Sequence, residues 1–241
     1  MSLIRILKQR IQEEQFNPGF LGMFVNPFYF ARKGLYAEVR FLSESVRGKT
    51  LDIGCGQKPY KHLFEVTEYI GLEIDTLGNR SNKKADYFYD GKIFPFQENT
   101  FDTVLSNQVL EHVFNPDEFL SEVHRVLKSQ GILLLTVPFV WDEHEQPIDY
   151  ARYSSFGLKY LLEKHKFEIL DQRKSITDIR VIFQLLIGYI YKVTVTQNNI
   201  INLLTSIVLI SPLNVAGEFF ALFLPKNNDL YLDNIILAKK I

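Results

Sequence analysis

The chain has 241 residues, of which 46% are hydrophobic and 23% charged, so it can bury a large core and has the composition of a globular protein. Lys and Arg number 27 against 28 Asp and Glu, which excludes the basic excess of a dedicated nucleic-acid binder. One cysteine excludes an internal disulfide, and the N-terminus becomes charged too early for a signal peptide. We therefore predict a cytoplasmic protein without a nucleic-acid partner, either a monomer or a homodimer.

Two regions follow each other along the chain. Residues 1–46 are predicted to form an N-terminal helical segment, in which the breaker Asn-Pro-Gly separates two stretches of helical apolar spacing. Residues 47–241 alternate between short apolar strands and helices, which predicts one α/β domain with a mostly parallel seven-stranded sheet and helices on both faces. Strands are predicted at 50–53, 69–74, 85–89, 101–106, 132–137, from 167 to 170 and at 232–240, with helices at 60–64 and 154–164.

The clearest predicted helix begins after Asn115, which is a suitable N-cap. Pro116 suits the first turn, and Glu118 completes a start that resembles a capping box. Apolar residues then recur at helical spacing, and Gly131 is the predicted stop.

An apolar insertion is predicted at about 175–228, before the last strand. Residues 175–225 contain only four charged residues, Asp178, Arg180, Lys192 and Glu218. The favoured interpretation is a set of buried or capping helices. Two alternatives stay open: a transmembrane helix over 200–224, which Pro212, Asn214 and Glu218 interrupt, and a surface that touches a membrane or a lipid-linked substrate.

A glycine loop follows the first predicted strand in LDIGCG, residues 51–56. Gly54 and Gly56 allow a sharp turn and a close approach of the backbone to a ligand. Glu73 ends the next strand, 19 residues after Gly54, where a carboxylate can accept hydrogen bonds from both ribose hydroxyls. Asp75 is the reserve candidate. Pro59 occupies the position of the third glycine of dinucleotide-binding loops, which disfavours a nicotinamide cofactor.

The segments LDIGCG, YIGLEID and FPFQENTFDTVLSNQVLEHVFNPDEFLSEVHRVLKSQGILLLTVP occur in this order. Over residues 49–137, and more loosely to about 170, they resemble the class I S-adenosylmethionine-dependent methyltransferases. The resemblance implies a Rossmann-like fold and S-adenosyl-L-methionine as the cofactor. The family's loop often has a third glycine where this chain has Lys58. The implied cofactor-binding residues are Asp52, Gly54 and Gly56 at the methionine part, Glu73 at the ribose with Ile74 beside it, Asp90 and Gly91 at the adenine, and Asn107 and Gln108 at the methionine part and sulfonium, with His112 at the border of the pocket.

Polar and aromatic residues are dense in PFVWDEHEQPIDYARYSS, residues 138–155, which leaves the carboxyl end of the fifth predicted strand. The segment resembles the HExPxDYxRY pattern of a subset of these methyltransferases, some of them found with sugar and polysaccharide pathways. A structural role, with Arg152 paired to Asp149 or Glu145, is the alternative. The spacing of histidines is not that of a metal site, and we predict no metal. The predicted substrate-binding residues are Trp141, Glu145, Asp149, Tyr150, Arg152 and Tyr153.

The predicted function is methyl transfer from S-adenosylmethionine to a hydroxyl or amine of a small molecule, with a sugar or polysaccharide precursor as one candidate. A hydroxyl acceptor needs its proton removed, and His144 is the first candidate for the base, followed by His112. A catalytically inactive cofactor-binding or scaffold protein of the same fold is the main alternative. A nicotinamide-dependent oxidoreductase is the weaker one.

Overall fold

The computed structural model describes residues 14–82 and 84–241, and the chain divides into two compact units. One unit contains the chain up to Ala37 with Val140–Asp142 and Lys174–Asp233, and the other contains Glu38–Phe139, Glu143–Arg173 and Asn234–Ile241. The first predicted helical stretch lies largely outside the described residues, of which 14–16 are helical. The predicted division at residues 46 and 47 stays a prediction.

A seven-stranded sheet dominates the second unit. Its strands follow the spatial order β3-β2-β1-β4-β5-β7-β6. The pairs β1–β2, β1–β4, β2–β3 and β4–β5 are parallel. The strands are β1 (Lys49–Ile53), β2 (Glu68–Ile74), β3 (Tyr87–Tyr89), β4 (Phe101–Asn107), β5 (Leu127–Pro138), β6 (Phe167–Lys174) and β7 (Asp233–Lys240).

The last strand runs against its two neighbours. Ile241, which follows β7, donates its backbone N–H to the carbonyl of Lys166, which precedes β6, at 3.1 Å. Lys240 Nζ donates to the carbonyl of Leu127, the first residue of β5, at 2.6 Å. The end of β7 therefore lies beside the starts of β5 and β6. The mostly parallel seven-stranded sheet is confirmed, and the carboxyl ends of β1 to β5 share one edge.

Eight helices are described in the ranges 14–82 and 84–241, apart from short 3₁₀ turns at Ser43–Ser45, Lys61–Leu63 and Leu110–His112. A five-residue π-helical segment, Ser206–Ile210, joins two of them into one continuous rod. The helices are α1 (Gly22–Val25), α2 (Tyr29–Leu42), α3 (Leu77–Asn82), α4 (Pro116–Val126), α5 (Ser155–Lys164), α6 (Arg180–Thr194), α7 (Asn199–Thr205) and α8 (Ser211–Ala221).

Helix α4 begins as predicted, because the Asn115 side chain accepts a hydrogen bond from the backbone N–H of Glu118. Its predicted end at Gly131 is wrong: the helix stops at Val126, and β5 begins with the next residue. A Cβ at Gly131 would lie 2.8 Å from the carbonyl oxygen of Lys128 and 3.2 Å from that of Asp102. This glycine therefore permits close backbone packing inside a strand.

Helices α6, α7 and α8 form the predicted insertion between β6 and β7, and they belong to the first unit. Tyr29 and Phe30 of α2 share a buried apolar cluster with Ile187 and Ile210 of the insertion. A Cβ at Gly217 would lie 2.6 Å from the Phe30 ring, so a glycine there allows α8 to approach α2 closely.

Candidate active site

The glycine loop carries the chain from β1 across the end of β2. Gly54 and Gly56 have φ angles of +65° and +51°, which favour glycine. The N–H of Gly54 donates to the carbonyl of Leu72 at 2.9 Å. A Cβ on Gly54 would lie 2.4 Å from a methyl carbon of Val109. Both the backbone conformation and the packing therefore require glycine at the first position of this loop.

Glu73 is buried at the carboxyl end of β2, beside this loop. The backbone N–H of Gly56 donates to its Oε1 at 2.7 Å, and Asn79 Nδ2 donates to its Oε2 at 3.4 Å. An ionised carboxylate offers about four acceptor positions. The same carboxylate can thus hold the loop and accept bonds from a diol. Asp75, the reserve candidate, is instead engaged by the Arg80 guanidinium.

Asp52 is buried near the carboxyl end of strand β1, and the Tyr69 hydroxyl donates to its Oδ2 at 2.6 Å. Burial raises the pKa of Asp52 to about 7, against the opposing effects of the Tyr69 hydrogen bond and the Lys58 charge. The sequence analysis missed Tyr69. The parallel register aligns Asp52 with Gly71, so Tyr69, two residues earlier, lies on the same face of the sheet. This alternation of side chains along the strand was the signal in the sequence that could have indicated a contact between Tyr69 and Asp52.

Lys58 occupies the position of the family's third glycine and still adopts a left-handed conformation, with φ of +57°. Its ammonium pairs with Asp86. The Asp86 carboxylate also accepts from the N–H of Gly71 at 2.7 Å. The loop thus keeps a backbone conformation typical of glycine, and the ion pair with Asp86 fixes the position of the lysine side chain.

Burial, reinforced by nearby Asp52 and Glu73, raises the pKa of Cys55 to about 12, which makes this thiol a poor nucleophile.

The other predicted cofactor residues lie at, or just after, the carboxyl ends of β2, β3 and β4. Ile74 is half-exposed, and Asp90 is exposed and accepts from the backbone N–H groups of Lys92 and Ile93. Gly91 has a φ of +85°. Two more lie at the carboxyl end of β4. Asn107 Oδ1 accepts from the Thr136 hydroxyl at 3.4 Å, and Gln108 has a φ of +55° and donates through Nε2 to the same hydroxyl at 3.3 Å.

The two candidate bases lie side by side. The His112 and His144 rings are 4.8 Å apart between centroids and nearly perpendicular. His112 Nδ1 lies 2.7 Å from the carbonyl oxygen of Ile148, and because a carbonyl only accepts, this nitrogen carries a proton. Nε2 of neutral His112 is therefore the basic nitrogen.

Asp149 organises the segment after β5. Its carboxylate accepts two hydrogen bonds from Arg152, at 2.6 and 2.7 Å, and one from the backbone N–H of His144 at 2.9 Å. His144 Nδ1 lies 3.2 Å from Asp149 Oδ2. The Arg152 hydrogen bonds hold the pKa of Asp149 well below its ordinary value. The predicted Arg152–Asp149 pair is present, and the carboxylate orients the His144 ring.

The remaining predicted substrate residues are in different places. Trp141 belongs to the other unit and packs against Phe28, with centroids 6.0 Å apart. Tyr150 packs against Phe114, Tyr153 packs against the sheet core, and Glu145 is exposed with Oε2 4.0 Å from His112 Nε2. The structure thus gathers His112, His144, Glu145, Asp149 and Arg152 within one unit, with Trp141 outside it.

Glu111, which the sequence analysis did not single out, completes a group with the two histidines. Its side chain is fully buried, and its Oε1 lies 3.8 Å from His112 Nε2. One ligand atom from each of Glu111, His112 and His144 lies within 4.8 Å of the others. Two imidazoles and a carboxylate can bind a divalent transition metal. Within the described part of the chain, this is the group that could hold an ion.

Comparisons with known proteins agree with this fold. Residues 51–135 match the family model described as "Methyltransferase domain". An uncharacterised protein of Methanocaldococcus jannaschii is 31% identical over 126 residues, which are 50% of this chain and 54% of that protein. The chain therefore matches about half of the length of this relative.

Two solved structures have the same fold at low identity. A SAM-dependent methyltransferase from Archaeoglobus fulgidus is 18% identical, with a TM-score of 0.54, and the match covers 96% of this chain and 99% of that one. The [4+2]-cyclase SpnF is 19% identical, with a TM-score of 0.55, over 85% of this chain and 81% of that one. Residues 51–135 thus match a methyltransferase domain, and over most of its length the chain has the fold of these two solved structures. The predicted Rossmann-like fold is confirmed, and the predicted methyltransferase domain is matched over residues 51–135.

Proposed function

We propose that the protein binds S-adenosyl-L-methionine and transfers its methyl group to a hydroxyl or amine of a small molecule. The observation that carries this proposal is the buried Glu73 carboxylate at the end of β2, joined to the glycine loop by the Gly56 N–H at 2.7 Å. This arrangement offers a diol acceptor beside a backbone that can approach a ligand closely. The methyltransferase domain match over 51–135 supports the same cofactor.

The residues present fit the cofactor at both ends. Asp52 is a buried carboxylate whose pKa of about 7 can fall when a cation binds beside it, which suits the ammonium of a methionine moiety. Ile74 and Ile93 are exposed apolar side chains near the ends of β2 and β3 and suit an adenine ring. Glu73 would hold the ribose, with Asn107 and Gln108 near the methionine part.

His144 is the proposed base for a hydroxyl acceptor. When bound, the cofactor supplies a methyl group made electrophilic by a positively charged sulfur. His144, oriented by Asp149 through Nδ1, can then take the acceptor proton at Nε2. The acceptor must also be held in line with the methyl group, and positioning of this kind supplies up to about 7–11 kcal/mol in well-oriented reactions. Glu145 and Tyr150 are exposed polar groups of the same segment and can contact the acceptor.

A sugar or polysaccharide precursor is the proposed acceptor class, because the segment from His144 to Tyr153 resembles that of methyltransferases from such pathways. A catalytically inactive binding protein is the second candidate. The same fold occurs in a [4+2]-cyclase, so the fold alone does not require methyl transfer. A nicotinamide cofactor is disfavoured by Pro59, and titration with NAD would test it directly.

The first test measures S-adenosylmethionine binding by calorimetry and then methyl transfer to a panel of sugar precursors that carry hydroxyl or amino groups. Binding with transfer supports the proposal, whereas binding without transfer to any acceptor favours the inactive protein. Absence of binding by the intact chain contradicts both.

The second test assigns the base. His144→Gln should lower the rate with a hydroxyl acceptor about 10²–10⁴-fold and leave cofactor binding unchanged. The matched control is His165→Gln, which alters a histidine that precedes β6 at the opposite edge of the sheet and pairs with Asp117. A chelator should leave the rate unchanged. If the chelator lowers the rate and a divalent cation restores it, Glu111, His112 and His144 would instead be assigned as metal ligands.

A further inference from the structure

The exposed surface of residues 200–224, which contain most of α7, the π-helical segment and α8, is apolar. From residue 200 to residue 224, every exposed side chain is aliphatic, aromatic or proline. The exposed fractions reach 70% for Ile200, 64% for Val208 and 71% for Phe223. Scattered exposed apolar residues are ordinary, but a continuous surface of this kind marks a site that contacts another apolar phase.

The four charged residues between 175 and 225 all form ion pairs. Arg180 bonds Asp178 at 2.6 Å and Glu218 at 3.2 Å, and Glu218 also bonds Lys33 at 2.7 Å. Lys192 pairs with Asp142 at 2.8 Å. All four charged residues of 175–225 are thus neutralised by partners in the same unit. This pattern is expected where the outer surface meets a medium of low dielectric constant, in which an unpaired charge is costly.

The apolar rod from α7 to α8 has one buried side. Ser206, Ile210, Asn214 and Gly217 are buried, and their spacing places them on one face of the helix. Asn214 Nδ2 donates to the carbonyl of Met23 at 2.9 Å. The stretch Asn199–Ala221 has 23 residues, its most apolar window of 18 residues has a mean hydropathy of 1.8, and it would be long enough to span a bilayer. Because one face is occupied by the protein, the rod is suited to lie along a membrane.

We propose that the outward face of α7, the π-helical segment and α8 inserts into one leaflet of a lipid bilayer, so that the protein is a peripheral membrane protein. A protein partner normally meets an apolar centre surrounded by a polar rim with hydrogen-bonding groups. Here exposed polar residues lie only beyond the two ends of the apolar stretch, at 196–199 and 226–229, and none lies among the exposed positions from 200 to 224. A bilayer needs only apolar side chains, which enter to the depth of the headgroup and acyl boundary, about 5–10 Å. The proposal does not depend on methyl transfer.

The experiment is flotation of the full chain with phosphatidylcholine vesicles and with vesicles that also contain phosphatidylglycerol. The chain should float with both, and about 1 M salt should leave binding largely intact, because salt screens charge attraction and not apolar insertion. The double variant Ile200→Glu/Val208→Glu should lower the bound fraction about tenfold or more. The control Phe156→Glu/Tyr160→Glu, with exposed fractions of 83% and 72% on α5, should bind as the parent does.

A second measurement does not require a variant to fold. Amide hydrogen exchange of the parent chain should slow on vesicle addition over 199–224 and remain unchanged in α5. The proposal is overturned if the parent does not float with either vesicle. It is also overturned if the parent is a dimer in solution that Ile200→Glu/Val208→Glu dissociates without vesicle binding, since a second copy of the chain then covers this surface.

Discussion

The backbone N–H of Gly56 donates a 2.7 Å hydrogen bond to Oε1 of Glu73, and this bond connects the loop after β1 to the end of β2. The residue proposed to hold the ribose therefore also shapes the loop proposed to hold the methionine part. Any substitution of Glu73 alters both the ribose site and the loop. A test should therefore remove the charge of Glu73 and keep the size of its side chain.

Glu73→Gln is the appropriate change, because an amide oxygen can still accept from Gly56 while the charge is lost. We expect S-adenosylmethionine affinity to fall about 10- to 100-fold, since hydrogen bonds to a charged group contribute about 1.5–3 kcal/mol. Calorimetry measures the effect. Glu68→Gln, which alters an exposed residue at the other end of β2 that pairs with Lys49, is the control and should bind normally. Equal affinities of the two variants would contradict the assignment.

Asp52 should make the stability of the cofactor-free protein depend on pH. Burial raises its pKa from 3.8 to about 7, so between these values the folded protein keeps a proton that the unfolded chain releases. The contribution of Asp52 to the free energy of unfolding is therefore present at low pH and falls as pH rises toward 7, by at most about 1.4 kcal/mol per pH unit.

Urea unfolding of the parent and of Asp52→Asn at pH 5, 6, 7 and 8 tests this dependence. The amide still accepts from Tyr69 but does not ionise. The variant should therefore gain stability relative to the parent as pH rises to 7, and the difference should be constant above it. A difference that is independent of pH from 5 to 8 would show that Asp52 titrates outside this window.

Gly54→Ala should be more destabilising than Gly91→Ala, although both glycines have positive φ angles, +65° and +85°. The left-handed conformation costs a residue with a Cβ about 1–2 kcal/mol, and this cost applies to both. The new Cβ at position 54 also meets Val109 at 2.4 Å, whereas at position 91 it meets nothing within 4 Å. We expect about 1–3 kcal/mol of additional loss for Gly54→Ala, measured by urea unfolding. Equal losses would mean that Val109 moves aside without cost.

Asp149→Asn should destabilise the protein by about 1.5–3 kcal/mol, since it weakens bonds from Arg152 and from the His144 backbone to a buried carboxylate. Thermal and urea unfolding measure the change. Glu163→Gln, which removes the exposed pair with Lys159, is the control, and its effect should stay within about 0.5 kcal/mol. If the two variants are equally stable, the Asp149 cluster does not support the segment.

The element order was predictable because each strand and helix is encoded locally. Apolar runs predicted the strands, Asn115 was correctly predicted as an N-cap, and the helix predicted at 154–164 is α5. The end of α4 was not predictable in this way. Gly131 has the position of a helix stop, but Leu127 already pairs with Phe101 in the sheet. Tertiary pairing prevailed over the local signal there.

The site was predictable only where a residue's role depends on its own strand end. The positions of Gly54, Gly56 and Glu73 follow from the parallel sheet. Contacts between distant segments do not, and the Tyr69–Asp52 bond and the approach of Glu111 to His112 became visible only in three dimensions. Trp141 shows the opposite case: it is close to His144 in sequence, yet it packs on Phe28 and belongs with it to the unit that does not contain His144.

The two ends of the helical insertion are hydrogen-bonded to each other. The backbone N–H of Ser175 donates to the carbonyl of Asp233 at 3.0 Å, and that of Leu232 donates to the carbonyl of Ser175 at 3.1 Å. The antiparallel β6–β7 pair is thus a hairpin whose connecting loop has grown into α6, α7 and α8. Because the entropy of closing a loop rises only slowly with its length, evolution can lengthen, exchange or remove such an attachment without reordering the strands. Chains that share the glycine loop and the strand order can therefore differ in this one segment.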